Sequence, residues 1–235
     1  MILGIDTSTL VSSVALVDKN KVLAELNIQS KLTHSEMLMP HIDQLLKLAQ
    51  VDKKAVTGIA VSIGPGSFTG LRIGLATAKT IAYALDIPII GVPTMEALAY
   101  NCPIPEVYIM PLLDAQKGNC YTAKYCWEEG KLIIKEQTKV DSFDNLLSYA
   151  TNQDKKVIIL GEIAIKHADK IKELHENIIL AQPQIIFAKA SSVAFLGIDM
   201  QNRGINHDVM TLEPYYIRKS EAEVLWEQRN GISHD

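Results

Sequence analysis

The spacing of hydrophobic residues predicts a regular alternation of strands and helices in the first hundred residues. Short apolar runs and one alternating run predict three strands joined by tight turns, and longer amphipathic stretches then predict helices. The predicted strands cover 2–5, 12–17, 22–28, 56–63 and 86–92, and the predicted helices cover 34–50, 68–85 and 94–100. Because strands separated by helices pair in parallel, we expect a mixed sheet with helical cover.

The same order of elements repeats after a proline-containing linker at 101–105. The second set of predicted strands covers 107–113, 119–127, 131–140, 157–161 and 178–180, and its helices cover 142–150, 164–174 and 190–200. Asp6 and Asp114 each close the first strand of their unit. The repeat predicts an α/β fold made by duplication, with subdomains at 1–102 and 103–235. The helix around 190–203 is expected to pack back on the first subdomain.

Composition narrows the class of protein. The 235 residues are 48% hydrophobic and 21% charged, which is enough for a sizeable core and excludes wholesale disorder. Charges interrupt every apolar run before about 18 residues, so no membrane span is expected. The first residues lack a basic stretch, and the three cysteines form no C-x-x-C pair, so we expect a cytoplasmic protein without disulfides. The net charge of −4 argues against unaided binding of nucleic acid.

Two polar turns are candidates for binding the phosphates of a nucleotide. The hydroxyls after Asp6 and the glycine turn before the 68–85 helix can both offer groups to an anion. Structural alternatives stay open for both, namely a polar hairpin turn and a close-packed helix entry. No Lys-Ser/Thr pair follows the glycines, which excludes a P-loop. The candidate residues are Asp6, Thr7, Ser8, Gly64, Gly66, Ser67 and Asp114.

The predicted helices at 34–50 and 68–85 have more apolar surface than one core requires. Small residues recur every four positions in the second helix, a spacing that permits close approach of another helix. These features predict a surface on which a partner docks, although cover by the same domain on two sides is the alternative. The predicted interface residues are Met37, His41, Gln44, Leu48, Gly70, Gly74 and Ala78.

Five short motifs along the chain match one known family. They are Ile5-Asp6-Thr7-Ser8, His34-Ser35-Glu36, the glycine-rich run at 64–74, Asp114-Ala115-Gln116-Lys117-Gly118 and Pro214-Tyr215-Tyr216-Ile217-Arg218. The chain thereby resembles the TsaB (YeaZ) family, which acts in making threonylcarbamoyladenosine in bacterial tRNA. The resemblance implies the duplicated RNase H-like fold of the actin, Hsp70 and sugar-kinase (ASKHA) superfamily, with two mixed sheets.

The resemblance also implies partners. It implies a non-catalytic subunit that forms a heterodimer with TsaD through the 34–50 and 68–85 helices, joined by the ATPase TsaE. TsaD would transfer the threonylcarbamoyl group to N6 of the adenosine next to the anticodon, in tRNAs reading codons that begin with adenine. The complex alone would bind tRNA. Without TsaD, the apolar face is expected to pair with itself in a homodimer.

Two departures from the TsaD type bear on cofactors. Thr94 and Leu98 stand where TsaD-type proteins have a metal-binding histidine pair, so the resemblance implies neither a metal nor catalytic residues. Glu162 interrupts the turn that would hold adenosine, so ATP or ADP is expected to bind weakly or at a subunit interface. The alternatives are a stand-alone ATP-dependent kinase or ATPase, and a metallopeptidase. The altered turn counts against the first and the lack of a metal triad against the second.

Overall fold

The computed structural model describes residues 1–30, 33–173, 176–218 and 229. Ten strands form two five-stranded sheets within these residues. The first sheet consists of β1 (Ile2–Asp6), β2 (Ser12–Asp18), β3 (Lys21–Ile28), β4 (Gly58–Gly64) and β5 (Ile89–Pro93). The second consists of β6 (Tyr108–Asp114), β7 (Asn119–Glu128), β8 (Lys131–Ser142), β9 (Val157–Leu160) and β10 (Ile178–Leu180).

The two sheets have the same strand order. The first runs β3-β2-β1-β4-β5, and the second runs β8-β7-β6-β9-β10 in the corresponding sequence. In each sheet the first strand pairs antiparallel with the second and parallel with the fourth. The central strand β1 is buried at all five residues, as a strand covered on both faces must be. The predicted duplicated RNase H-like ASKHA fold is confirmed.

Seven α-helices and a short 3-10 helix at Lys53–Ala55 are resolved as elements in the described part of the chain. The α-helices are α1 (His34–Ala49), α2 (Phe68–Leu85), α3 (Thr94–Tyr100), α4 (Phe143–Thr151), α5 (Glu162–Lys166), α6 (Ala168–Lys172) and α7 (Ala190–Asn202). The single helix predicted at 164–174 is wrong, because the backbone leaves helical geometry at His167 and the segment forms α5 and α6. Its last predicted residue, Leu174, lies outside the described residues. No helix in the described ranges is long and apolar enough to cross a membrane.

Helices α3 and α7 each pack against the sheet of the other half. Helix α7 lies on the first sheet, where Val193 and Ala194 join a core with Ile2 and Ala60. Helix α3 comes directly after the first sheet in the sequence, but its residues Met95, Leu98 and Ala99 are buried in the core of the second half. The predicted limits at 1–102 and 103–235 stay a prediction, and the cores on either side of them share helices.

Candidate functional site

A cleft of about 950 Å³ lies between the two halves. One wall is formed by the turn after β1 and by the start of α2, and the other by the end of β6 and by α5. Tyr216 and Arg218, near the end of the described chain, complete the lining. The cleft is where the predicted nucleotide-binding residues of the two halves come closest to each other. Of the seven predicted residues, Ser8, Gly66, Ser67 and Asp114 line it.

The glycine turn positions the start of α2 against the turn after β1. The Ser67 hydroxyl accepts a hydrogen bond from the Gly70 N–H at 3.2 Å, which caps the helix as predicted from the sequence. The Ser67 N–H donates to the Ser8 carbonyl at 2.7 Å. Gly66 has a φ of +156°, and a Cβ there would lie 2.3 Å from the Ser8 carbonyl oxygen. Close packing of the two turns therefore explains this glycine without a ligand.

Asp6 and Thr7 lie behind the cleft surface. The Asp6 carboxylate is fully buried and accepts hydrogen bonds from the Ser8 N–H at 3.1 Å, the Ser8 hydroxyl at 2.8 Å and the Ser62 hydroxyl. Burial raises the pKa of Asp6 despite these hydrogen bonds. The Thr7 hydroxyl is also buried and donates to the Gly70 carbonyl at 2.7 Å. These groups shape the turn that presents Ser8, and their polar atoms are already partnered within the protein.

Gly64 does not line the cleft either. It has a φ of +124°, and a Cβ would lie 2.5 Å from the carbonyl oxygen of Tyr215, which passes over it. The position therefore requires glycine both for its backbone conformation and for the close approach of the chain end. Direct nucleotide contact by Asp6, Thr7 and Gly64 thus has no support in this geometry, and nucleotide binding at the cleft stays a prediction.

The aspartate of the second wall is exposed, whereas the aspartate of the first wall is buried. Asp114 is exposed, and its carboxylate accepts a hydrogen bond from the Gln116 N–H at 2.8 Å. The Glu162 side chain accepts from the Asp114 N–H at 3.1 Å. Burial raises the pKa of Glu162, and the nearby Asp114 carboxylate raises it further. Asp6 and Asp114 are therefore equivalent in the fold but not in their chemistry.

An aromatic stack lies at the cleft and was not predicted from the sequence. The Tyr216 ring stacks on Phe68 with the ring centroids 4.6 Å apart. The Arg72 guanidinium lies 3.9 Å over the Phe68 ring, and its Nε–H donates to the Tyr216 hydroxyl at 3.0 Å. The motif at 214–218 marked a family resemblance, but spacing along the sequence does not show that Tyr216 returns to α2, 144 positions from Arg72.

The residues that could hold a metal are few. Thr94 and Leu98 are fully buried. Across the described residues no three His, Cys, Asp or Glu side chains lie close enough together to hold a metal ion. The cysteines Cys102, Cys120 and Cys126 are buried and unbridged.

A second candidate site is the outer surface of the adjacent helices α1 and α2. We call it the outer face and define it by Met37, Gln44, Leu48, Ala76 and Tyr83. Large apolar side chains are exposed on both helices, with Leu48 at 64% and Tyr83 at 73% of their full accessibility. Gln44 and Ala76 are exposed, and Met37 is half-buried. Met37, Gln44 and Leu48 were predicted for this surface from the sequence, whereas Ala76 and Tyr83 were not.

His41 does not belong to the outer face, and its predicted exposure is wrong. It is 2% exposed, and its Nδ1 lies 3.2 Å from the Ser12 hydroxyl on β2. Burial lowers the pKa of His41, and the nearby His34 lowers it further. The width of the apolar arc of α1 predicts surplus surface at this position, but β2 covers it.

The small-residue stripe of α2 is also covered by the chain itself. A Cβ on Gly70 would lie 2.0 Å from the Thr7 carbonyl oxygen, and one on Gly74 would lie 2.2 Å from the Thr7 hydroxyl oxygen. Ala78 is buried in the first core. The spacing correctly indicated close approach, but what approaches is the turn after β1. The prediction that Gly70, Gly74 and Ala78 contact a partner is therefore wrong.

Comparisons with known proteins agree with one another. A family model described as "TsaD: tRNA N6-adenosine threonylcarbamoyltransferase" matches residues 21–226. The tRNA threonylcarbamoyladenosine biosynthesis protein TsaB of Bacillus subtilis is 34% identical, with 96% of this chain and 97% of that protein covered. The Escherichia coli protein of the same name is 26% identical, with 98% of each covered. The structure of YeaZ from Pseudomonas aeruginosa has a TM-score of 0.77 at 24% identity, covers 92% of this chain and 99% of its own, and shows the same fold.

Proposed function

Since the chain belongs to the TsaB family, we propose that it acts in the biosynthesis of threonylcarbamoyladenosine in tRNA as a non-catalytic subunit. In this proposal it forms a heterodimer with TsaD, and TsaE joins them in the cytoplasm. The assembly is required for transfer of the threonylcarbamoyl group to N6 of the adenosine next to the anticodon, in tRNAs reading codons that begin with adenine. The tRNA is bound by the complex and not by this chain alone, whose net charge is −4.

The observation that supports this proposal best is the outer face. Scattered exposed hydrophobic residues are ordinary, but Leu48 and Tyr83 are both large and lie on two neighbouring helices. An exposed apolar patch of this kind is typical of a protein–protein interface. Burying it against a partner would contribute about 25 cal/mol for each Å² of apolar surface. The same surface would pair with a second copy when TsaD is absent.

The side chains at Thr94 and Leu98 support a role without catalysis. Neither a hydroxyl nor an isobutyl group replaces imidazole as a transition-metal ligand. Both side chains are also buried in the protein, so neither is available to a substrate. A threonylcarbamoyl transfer would therefore take place on the partner.

The test of the docking surface is Leu48→Glu, with affinity for purified TsaD measured by calorimetry. The change would bury an unpaired carboxylate in the interface, which costs several kcal/mol, so affinity should fall about 100-fold or more. The isolated variant should unfold at the wild-type temperature, because Leu48 lies outside the core.

Ile165→Glu is the matched control for this test. Ile165 is exposed on α5, which lies in the other half of the protein. The control should bind TsaD like the wild type. Unchanged affinity in Leu48→Glu, or loss of folding in the isolated variant, would contradict the proposed interface.

For the cleft we propose weak binding of ATP or ADP, by this chain or at the subunit interface. Ser8, Ser67 and the start of α2 line the cleft and can face phosphate, whereas Glu162 occupies the position expected for an adenosine turn. Calorimetry of the isolated chain should give a dissociation constant well above ~1 μM. The binding free energy would then be weaker than about −8 kcal/mol, the value that corresponds to micromolar binding. Submicromolar binding with ATP turnover would instead favour the stand-alone enzyme.

A further inference from the structure

The segment 205–218 leaves α7 and runs along the first half before it reaches the second; we call it the strap. The Gly91 N–H donates to His207 Nδ1 at 3.3 Å, beside the edge strand β5. The Lys79 ammonium donates to the carbonyls of Met210 at 2.9 Å and Leu212 at 3.1 Å. The Tyr215 N–H donates to the Ile63 carbonyl at 2.7 Å. The strap is therefore attached to the first half at several points along its length.

The last residues of the strap span the cleft. Tyr216 stacks on Phe68 of α2 in the first wall. Ile217 packs against the core of the second half. The Arg218 guanidinium donates to the Ala115 carbonyl in the second wall. Three consecutive residues thus connect the two walls.

The two ends of the strap differ in the kind of attachment. The first-half end is fixed by backbone pairing, by the Lys79 ammonium and by the buried Leu212 side chain. Within the residues described up to Arg218, the second-half end is attached by the partly buried Ile217 side chain and by one guanidinium hydrogen bond. Release is therefore easier at the second half, and it would leave the first-half contacts in place.

We propose that the strap is a latch that sets the width of the cleft, with the Arg218–Ala115 hydrogen bond as its closing contact. With the latch closed, the end of β6 is held at a fixed distance from the start of α2. With Arg218 released, the strap loses its hydrogen bond to the second wall, and among the described residues the shared helices α3 and α7, the linker and Ile217 still connect the halves, so the cleft can widen. The latch thereby controls the size of ligand that the cleft can admit.

The test measures the distance across the cleft with two spin labels on the full chain. Leu10→Cys places one label on the first wall, and Lys117→Cys places the other on the exposed turn of the second wall. The native cysteines are buried, and burial raises the pKa of Cys102 and Cys120 to about 11, so the new thiols react selectively at neutral pH.

In this doubly labelled protein, Arg218→Ala should shift the distance distribution to longer values and broaden it. Arg218→Gln should do the same, because the shorter amide does not reach across to the Ala115 carbonyl, and it serves if the alanine variant folds poorly. Met210→Ala is the matched control, since that strap side chain is 71% exposed and lies away from the cleft. It should leave the distribution unchanged.

Two results would overturn the latch. One is a wild-type distance distribution in a folded Tyr216→Ala/Arg218→Ala double variant, which would mean that the shared helices alone hold the halves. The other is an equal shift in Met210→Ala, which would mean that any change in the strap perturbs the protein generally.

Discussion

The sheets of the two halves have the same strand order, but the halves differ in the helices that cover the outer side of each sheet. In the first half, α1 and α2 have 16 and 18 residues. In the second half, α4 has 9 residues, and α5 and α6 have 5 each. The sheets are constrained by their cores and by strand pairing, whereas the outer helical layer was free to change. Duplication has therefore kept the scaffold and altered the surface.

The exposed residues of the two layers differ in chemistry as well. Helix α4 exposes Asp144, Asn145 and Ser148, which are all polar. Helix α1 exposes Met39 and Leu48, and α2 exposes Tyr83. The exposed apolar residues are larger and more accessible in the first-half layer, where Leu48 and Tyr83 exceed the 42% exposure of Ile165 on α5. The following variants test this distinction, from the largest expected effect to the smallest.

Gly70→Val should have the largest effect, because it disturbs the packing on which the first-half layer depends. The new Cβ would meet the Thr7 backbone carbonyl, which cannot move without displacing the turn after β1. We expect a loss of about 3 kcal/mol or more in the free energy of unfolding, measured by urea titration. Ala76→Val, on the exposed side of the same helix, should cost less than about 1 kcal/mol. Equal stabilities would show that this packing is not tight.

Tyr83→Ala should weaken TsaD binding while leaving the isolated chain stable. A large aromatic residue at the centre of an interface contributes about 2 kcal/mol, so the dissociation constant should rise about 30-fold. Ile165→Ala makes a comparable truncation in the second half and should leave the constant unchanged. The two layers would be functionally alike if both variants lost affinity equally.

The buried His41 predicts a pH dependence that arises in the first half. Its lowered pKa means that at mildly acid pH the unfolded chain takes up a proton that the folded chain does not. Its stabilising contribution is therefore complete above pH 6.5 and declines as pH falls below that value, by at most about 1.4 kcal/mol per pH unit. His41→Gln should flatten the dependence of the unfolding free energy between about pH 5 and 6.5. An unchanged slope would place the titrating group elsewhere.

Glu136 in the second half should show an effect at a lower pH than His41 does. Partial burial raises its pKa, but hydrogen bonds from Lys124, Tyr149 and Lys139 outweigh this and lower the pKa to about 2. The stabilisation is complete above the ordinary value of 4.5 and is lost as pH falls from there towards 2. Glu136→Gln should remove that part of the acid dependence in a denaturation series, and it should leave the slope near pH 6 unchanged. A changed slope near pH 6 would link the two halves electrostatically.

Local sequence signals predicted the elements well. The predicted start of the helix at 68–85 is confirmed, because Ser67 caps it and the glycine turn precedes it. The repeated strand order followed from two similar runs of apolar segments. Both kinds of signal depend on residues that are close together in the chain, so they can be recognised from the sequence alone.

Contacts between distant segments were harder to predict. The periodicity of α1 shows how wide its covered face is, but not that β2 covers His41. The spacing of Gly70 and Gly74 indicates a close neighbour, but a turn and a helix leave the same pattern. Tyr216 lies on Phe68 only because the chain returns after α7, and no local pattern encodes that return. The fold could therefore be predicted closely from the sequence, whereas only some of the residues that line the cleft could be predicted.

The sharing of helices between the halves has a consequence during synthesis on the ribosome. The inner face of the first sheet is complete at Pro93, but its cover begins at Ala190. About 100 residues separate these points, which takes roughly 5 to 20 s at typical rates of translation. For that time the nascent chain has an apolar sheet face that lacks the cover of α7, so the first half reaches its final form only after α7 has been synthesised.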